Sequence, residues 1–290
     1  MNPILIEIKQ DRPGFDHFIG AWVCKGDINI IIDVGPANSV NRLIESLIAM
    51  DLDRVDFILL THIHIDHAGG LADFLDHFPM AKVICHSKGI RHLVEPSKLW
   101  TGSRTALGEI ADFYGPIKPV QREMLITHTD ADIDGLEIIE TPGHAPHHLS
   151  FIYQGNLFVG EAGGNYFIVH EKEYLRPATP PIFSLGESLK GIDLLLASED
   201  HPICYAHFGK AKSSHRLLHR FRNQLIQWSE IIKDEMRTGQ RHIVERSIER
   251  LLEKDPNIKV FEAMEPEIRD RERFFLTNSV RGYVDFLQKK

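Results

Sequence analysis

The chain has 290 residues, 43% of them hydrophobic and 26% charged, which suits one large globular domain or one domain with an appendage. Its formal charge of −8 gives no footprint for a general polyanion binder, although residues 211–290 carry 17 basic against 13 acidic side chains while the first 210 carry 16 against 28. No apolar run is long enough for a membrane span and "MNPILIEIKQ" lacks the basic start of a signal peptide, so a cytoplasmic, reducing setting is the default expectation.

In chain order, "ILIEI" reads as a strand and "INIIIDVGPA" as a buried strand closed by a Gly-Pro turn. "NSVNRLIESLIAM" has the helical spacing Val40, Leu43, Ile44, Leu47. "RVDFILLT" is a further buried strand, "LADFLDHF" a helix and "AKVICH" a strand. Residues 95–120 break this rhythm and are expected to form a helical insertion over one face. "LEIIETPG", "LSFIYQG" and "NLFVGEAGG" follow as short strands with glycine turns, and the proline-rich residues 171–186 are expected to be largely irregular. "SLKGIDLLLA" looks helical and "PICYAHFG" is a last strand, so residues 1–209 read as one α/β layered domain. Residues 210–290 read as a helical extension of about three helices, with apolar stripes Leu217, Phe221, Leu225, Trp228, Ile232 and Leu276, Val280, Tyr283, Leu287. Cys24, Cys85 and Cys204 are widely spaced in apolar runs and read as core residues.

The densest chemistry is "THIHIDHAGG" at residues 61–70, directly after a buried strand. Imidazole and carboxylate are natural ligands for zinc and similar divalent ions. His62 and His64, two apart on an extended backbone, point the same way, and Asp66 and His67 follow where the chain turns. An α-helix would spread this spacing around its circumference. Four such side chains exceed what one catalytic zinc takes from protein, so a second ion and further ligands are expected. His144 in "TPGHAPHH", Glu161 in "LFVGEAGG" and His207 in "CYAHFG" all stand where strands run into loops.

With these seven residues in this order, the chain resembles the metallo-β-lactamase superfamily over about residues 1–209. The resemblance implies a four-layer αβ/βα sandwich with a C-terminal helical extension and a dinuclear site at one sheet edge. It implies one ion on His62, His64 and His144, the other on Asp66, His67 and His207, and a bridging carboxylate at position 161. Glu161 stands where the family usually has aspartate. That departure leaves open the metal, zinc first with iron and manganese as competitors.

Two ions a few ångströms apart supply hydroxide at neutral pH and polarise a carbonyl or phosphoryl oxygen. The expected activity is hydrolysis of a small ester, thioester or lactone, with Asp66 as both ligand and proton acceptor. A phosphodiesterase or ribonuclease, an iron-dependent redox enzyme, and a non-catalytic regulatory or ligand-binding protein are the competing readings. The acidic catalytic part favours a small-molecule substrate over nucleic acid, and the tail is expected either to cap the pocket or to form a homodimer. Asp33 could orient a ligand imidazole or merely stabilise its turn. His86 and His148 either line the pocket or serve structure, and His147 is read as structural. Trp100, Tyr114, Tyr166 and Phe183 read as core ahead of pocket wall.

Overall fold

A computed structural model of the chain describes residues 2–180 and 182–289. The first sheet has the spatial order β1 (Ile4–Glu7), β2 (Gly20–Cys24), β3 (Ile30–Ile32), β4 (Phe57–Leu59), β5 (Lys82–Cys85), β6 (Leu125–Thr127). From β3 onward its strands are parallel, and parallel neighbours need crossovers. These are supplied by α1 (Val40–Ala49), by α2 (Ile65–Ala68) with α3 (Leu71–His77), and by α4 (Ser87–Val94), α5 (Ser97–Leu107) and α6 (Glu109–Tyr114).

The second half contributes β7 (Glu137–Glu140), β8 (Leu149–Tyr153), β9 (Asn156–Gly160), the hairpin β10 (Asn165–Val169) and β11 (Lys172–Arg176), then α7 (Leu185–Ala197), β12 (Ile203–Tyr205) and β13 (Lys210–Ala211). Its sheet runs β13-β12-β9-β8-β7, with β9 and β12 parallel. The tail is α8 (Ser214–Arg237), α9 (Ile243–Lys254) and α10 (Pro266–Gln288).

Strand periodicity sorts the core into layers. Trp22, Cys24, Ile30 and Ile32 of the first sheet meet Leu149, Phe151, Phe158 and Cys204 of the second, while Ala21, Val23 and Ile31 face α1, α3 and α6. The indole Nε1 of Trp22 donates to the Tyr205 carbonyl across the interface at 2.9 Å. The outer face of the second sheet shares a core with α7 and the tail, where Leu217, Phe221, Leu225, Trp228, Leu276, Val280 and Tyr283 are all buried. The apolar stripes of the tail are therefore covered within the chain. The three cysteines are free and buried, and burial pushes each thiol up to about 12.

Two local expectations differ from the structure. Residues 172–176 form β11, so the irregular stretch begins only at Pro177. The β10–β11 turn places His170 and Glu171 at φ 45° and 64°, a conformation usually marked by Gly or Asn, so the hairpin carried no turn signal. The strands β2, β6 and β10 also went unread. No helix among the described residues is long and apolar enough to cross a membrane.

Candidate metal centre

Parallel strands end at a common edge, and side chains following them converge there. Asp33 follows β3, residues 61–67 follow β4, Glu161 follows β9 and His207 follows β12, while His144 lies in the turn between β7 and β8. The two sheets are pinned at this edge by the Leu149 amide donating to the Thr61 carbonyl at 2.7 Å. Past β4 the chain bends at Thr61, and His64 is extended at φ −62°, ψ 153° just before α2. Alternation then sends Ile63 and Ile65 into the helical core and His62 and His64 toward the site. The first turn of α2 brings Asp66 and His67 alongside.

All seven expected ligands come together. Ligand atoms of His62, His64, His144 and Glu161 lie within 4.8 Å of one another, as do those of Asp66, His67 and His207. Glu161 spans the two groups. Its Oε2 is 2.9 Å from His144 Nε2, 3.4 Å from His62 Nε2 and 3.6 Å from His67 Nε2, and its Oε1 is 3.2 Å from His207 Nε2. The longer arm thus reaches both sides of the cluster.

The surrounding hydrogen bonds fix which nitrogen of each ring is bare. Thr61 Oγ1 donates to Asp33 Oδ2 at 2.7 Å, so it can only accept from His62 Nδ1 at 3.1 Å. His144 Nδ1 faces the Ala178 carbonyl at 2.8 Å, and His67 Nδ1 faces Asp33 Oδ2 at 2.9 Å; both oxygens are acceptors. In each neutral ring the Nε2 lone pair is left pointing inward. His62 Nε2 and His144 Nε2 converge on His64 Nδ1 at 2.9 and 3.0 Å, beside the Glu161 carboxylate. One His64 proton cannot serve two lone pairs. His67 Nε2 is buried and has no hydrogen-bond partner among the described residues. An acceptor-rich void of this kind fits divalent cations, and imidazole with carboxylate is the donor chemistry zinc favours.

Electrostatics divide the four rings. Burial, reinforced by neighbouring imidazoles, holds His62 and His64 well below the usual histidine range and therefore uncharged. Burial pulls His67 the same way, but the Asp66 and Asp33 carboxylates prevail and push it up to about 9. For His144 burial likewise opposes charge, yet Glu161 raises it. Glu161 itself is desolvated, and His144 and His207 still hold it well below the carboxylate range.

Of the two roles considered for Asp33, it takes the orienting one, holding both His67 and Thr61. His148 is structural: its Nε2 accepts from the Glu161 amide at 3.0 Å and its Nδ1 meets Thr141 Oγ1 at 2.9 Å. Gly160 allows this approach. Its φ is 57°, and a Cβ there would lie 2.4 Å from His148 Nε2. His147, in contrast to its structural reading, lines the cavity, with burial and His144 lowering it to about 4.

His86 stands apart from the site. It gathers with His128 and Glu140, but the Nδ1 atoms of the two rings accept backbone amides of Lys88 and Ser87 at 3.0 and 3.3 Å. The neutral rings therefore carry hydrogen on Nε2, facing Glu140 rather than offering lone pairs to a metal. Trp100, Tyr114, Tyr166 and Phe183 pack in the cores.

Several participants carried no sequence signal. With its amide oriented to satisfy both neighbours, Asn165 donates to Glu161 Oε1 at 3.1 Å and accepts from Arg176 Nη2 at 3.1 Å. Arg176 is fully buried and donates through Nε to Glu272 of α10, which also accepts from Arg271 Nε at 3.0 Å. Phe18 packs its ring on His207, centroids 4.5 Å apart, and Arg271 lies over Phe18 at 4.1 Å. The tail thus reaches the ligands through buried polar and aromatic contacts.

A cavity of about 330 Å³ opens onto His64, Asp66, His144, Glu161 and His207, with walls from α5, α10 and the loop after β11.

A layered sandwich with this ligand order defines a class. Residues 20–207 match the model of the metallo-beta-lactamase superfamily, and the chain belongs to that superfamily of metal-dependent hydrolases. Among its relatives, a metallo-beta-lactamase fold-containing protein of Sulfurisphaera tokodaii, ST1585, is 28% identical over 218 residues, 72% of this chain and 78% of that one. The crystal structure of ST1585 superposes with a TM-score of 0.67 at 22% identity, covering 97% of this chain and 98% of that one. A hydroxyacylglutathione hydrolase of Aeromonas hydrophila is 30% identical over 151 residues, 51% of this chain and 48% of the relative, so that match spans about half of either protein.

Proposed function

We propose that the protein is a dinuclear metal hydrolase acting on the carbonyl of a small ester, thioester or lactone. The observation that carries this reading is the convergence of five imidazoles and two carboxylates on one small space that opens into the cavity. His62, His64 and His144 would hold one ion, Asp66, His67 and His207 the other, with Glu161 facing both. Zinc suits the donor set best, and iron and manganese compete for it. Such a pair supplies a nucleophilic water near neutral pH and a Lewis acid for the carbonyl oxygen.

The chain's own residues do the rest. Asp66 borders the cavity and is placed to orient the attacking water and take its proton. Asp33 and the Ala178 carbonyl keep the rings aimed. Phe275 and Leu107 exclude bulk water from the same space. The relatives named hydroxyacylglutathione hydrolase support a thioester in particular. Apart from buried Arg176, Lys98 is the cavity's one cation among the described residues, which supports a neutral carbonyl over a phosphodiester.

The test is metal analysis of the purified protein together with a panel of ester, thioester, lactone and phosphodiester substrates. Two ions per chain and carbonyl hydrolysis are expected, with His144→Ala losing metal and at least about a hundredfold in kcat/KM. A His144→Ala protein that has lost an ion yet keeps its rate would overturn the proposal.

A further inference from the structure

The helix α5 is 11 residues long and buries none of them. Helices of this length are normally held by a covered apolar face. Here Lys98, Leu99, Gly102, Ser103, Ala106 and Leu107, spaced one and four apart, turn one face to the cavity. Across from them stands Phe275 of α10, and Ile182, 79% exposed, completes the apolar lining. Four polar groups of the wall are already engaged. Thr179 Oγ1 donates to the Ser279 carbonyl and Ser279 Oγ to the Pro177 carbonyl, each at 2.9 Å, while Arg176 is held by Glu272 and Asn165. Away from the metal cluster, the space offers apolar contact from Leu99, Leu107, Ile182 and Phe275, with Lys98, Ser103, His147 and Asn278 as its remaining polar groups. Its volume of about 330 Å³ is that of a small-ligand site.

We propose that this cavity is an acyl pocket, seating the unbranched apolar acyl chain of an ester or thioester between α5 and α10 with the carbonyl at the metal cluster. The inference rests on the hydrolase reading above and adds the substrate's acyl class. An apolar ligand would complete the cover of Leu99 and Leu107, which the protein itself buries only in part.

Gly102 gives a clean test. It lies on the cavity wall in helical backbone, and a Cβ built on it meets nothing within 4 Å, so Gly102→Phe adds a ring at the cavity wall without a clash at its root. With zinc-loaded protein and a series of acetyl to octanoyl thioesters, kcat/KM should rise about fourfold per methylene until the pocket is full. Gly102→Phe should keep its zinc and Tm and lose tenfold or more on the longest good substrate, a loss that shrinks as the acyl chain shortens to acetyl. Calorimetry with acetate to octanoate gives a second readout. Binding that tightens with length and is lost in Gly102→Phe supports the pocket even if no thioester turns over, an outcome that, with the ester and lactone panel also silent, would sink the hydrolase reading alone. Flat profiles in turnover and binding, or wild-type and Gly102→Phe profiles that coincide, overturn the acyl pocket.

Discussion

Asp33 illustrates how a residue that touches no reacting atom sets the site. Its two oxygens hold the Thr61 amide at 2.8 Å, the Thr61 hydroxyl and His67 Nδ1, and so aim two imidazoles at once. Asp33→Asn keeps the shape but offers one acceptor oxygen for those three donors. Metal affinity should fall about 10–100-fold, read by chelator competition, and excess metal should restore activity. Proton competition is set at the same scale. His67 is pushed up to about 9 in the ion-free chain, so between neutral pH and 9 its Nε2 is mostly protonated and must release that proton to a metal. Affinity should therefore climb with pH until about 9, then level, and fall as pH drops. Zinc titrations at several pH values check this, and a pH-independent affinity would refute it. The six-residue cluster from His62 to His67 was legible because it is contiguous on one strand end. Asn165 was not, since an asparagine after a glycine turn has no distinguishing pattern.

Among elements, α10 links the tail to the site. Arg176 of β11 and Glu272 of α10 are both buried, and Glu272 lies between two arginines. Removing one partner of a buried pair leaves uncompensated charge. Glu272→Ala should cost about 3–5 kcal/mol in denaturant unfolding and loosen the Asn165 contact to Glu161. A stability loss below about 1 kcal/mol would show that the pair is solvated. The tail's helices were legible from their apolar spacing, and so were the strands that precede Glu161 and His207. The β10–β11 hairpin escaped because its turn uses His170 and Glu171 where glycine or asparagine would have announced it.

For the whole molecule, the outer face of the second sheet is covered by α7, the β10–β11 hairpin and the tail. Leu157, Val159 and Ile203 share their core with Trp228, Leu276 and Tyr283. Deleting residues 212–290 would strip that core and one wall of the cavity at once. The shortened chain should be insoluble or lack cooperative thermal unfolding, measured by circular dichroism on the soluble fraction. A soluble, cooperatively folded fragment would show that the tail is dispensable to the fold.

The sequence by itself determined the layered fold, the family and which seven side chains gather, because strand alternation and strand-end placement are local properties that survive without coordinates. Only the tertiary structure decided that Glu161 spans both groups, that Asp33 serves two rings, and that α5 and α10 wall the cavity. Periodicity tells which face of a helix is apolar. What covers that face depends on contacts between residues far apart in the chain, such as Arg176 with Glu272 of α10, 96 positions away, or Phe18 with His207, and no spacing rule carries that information.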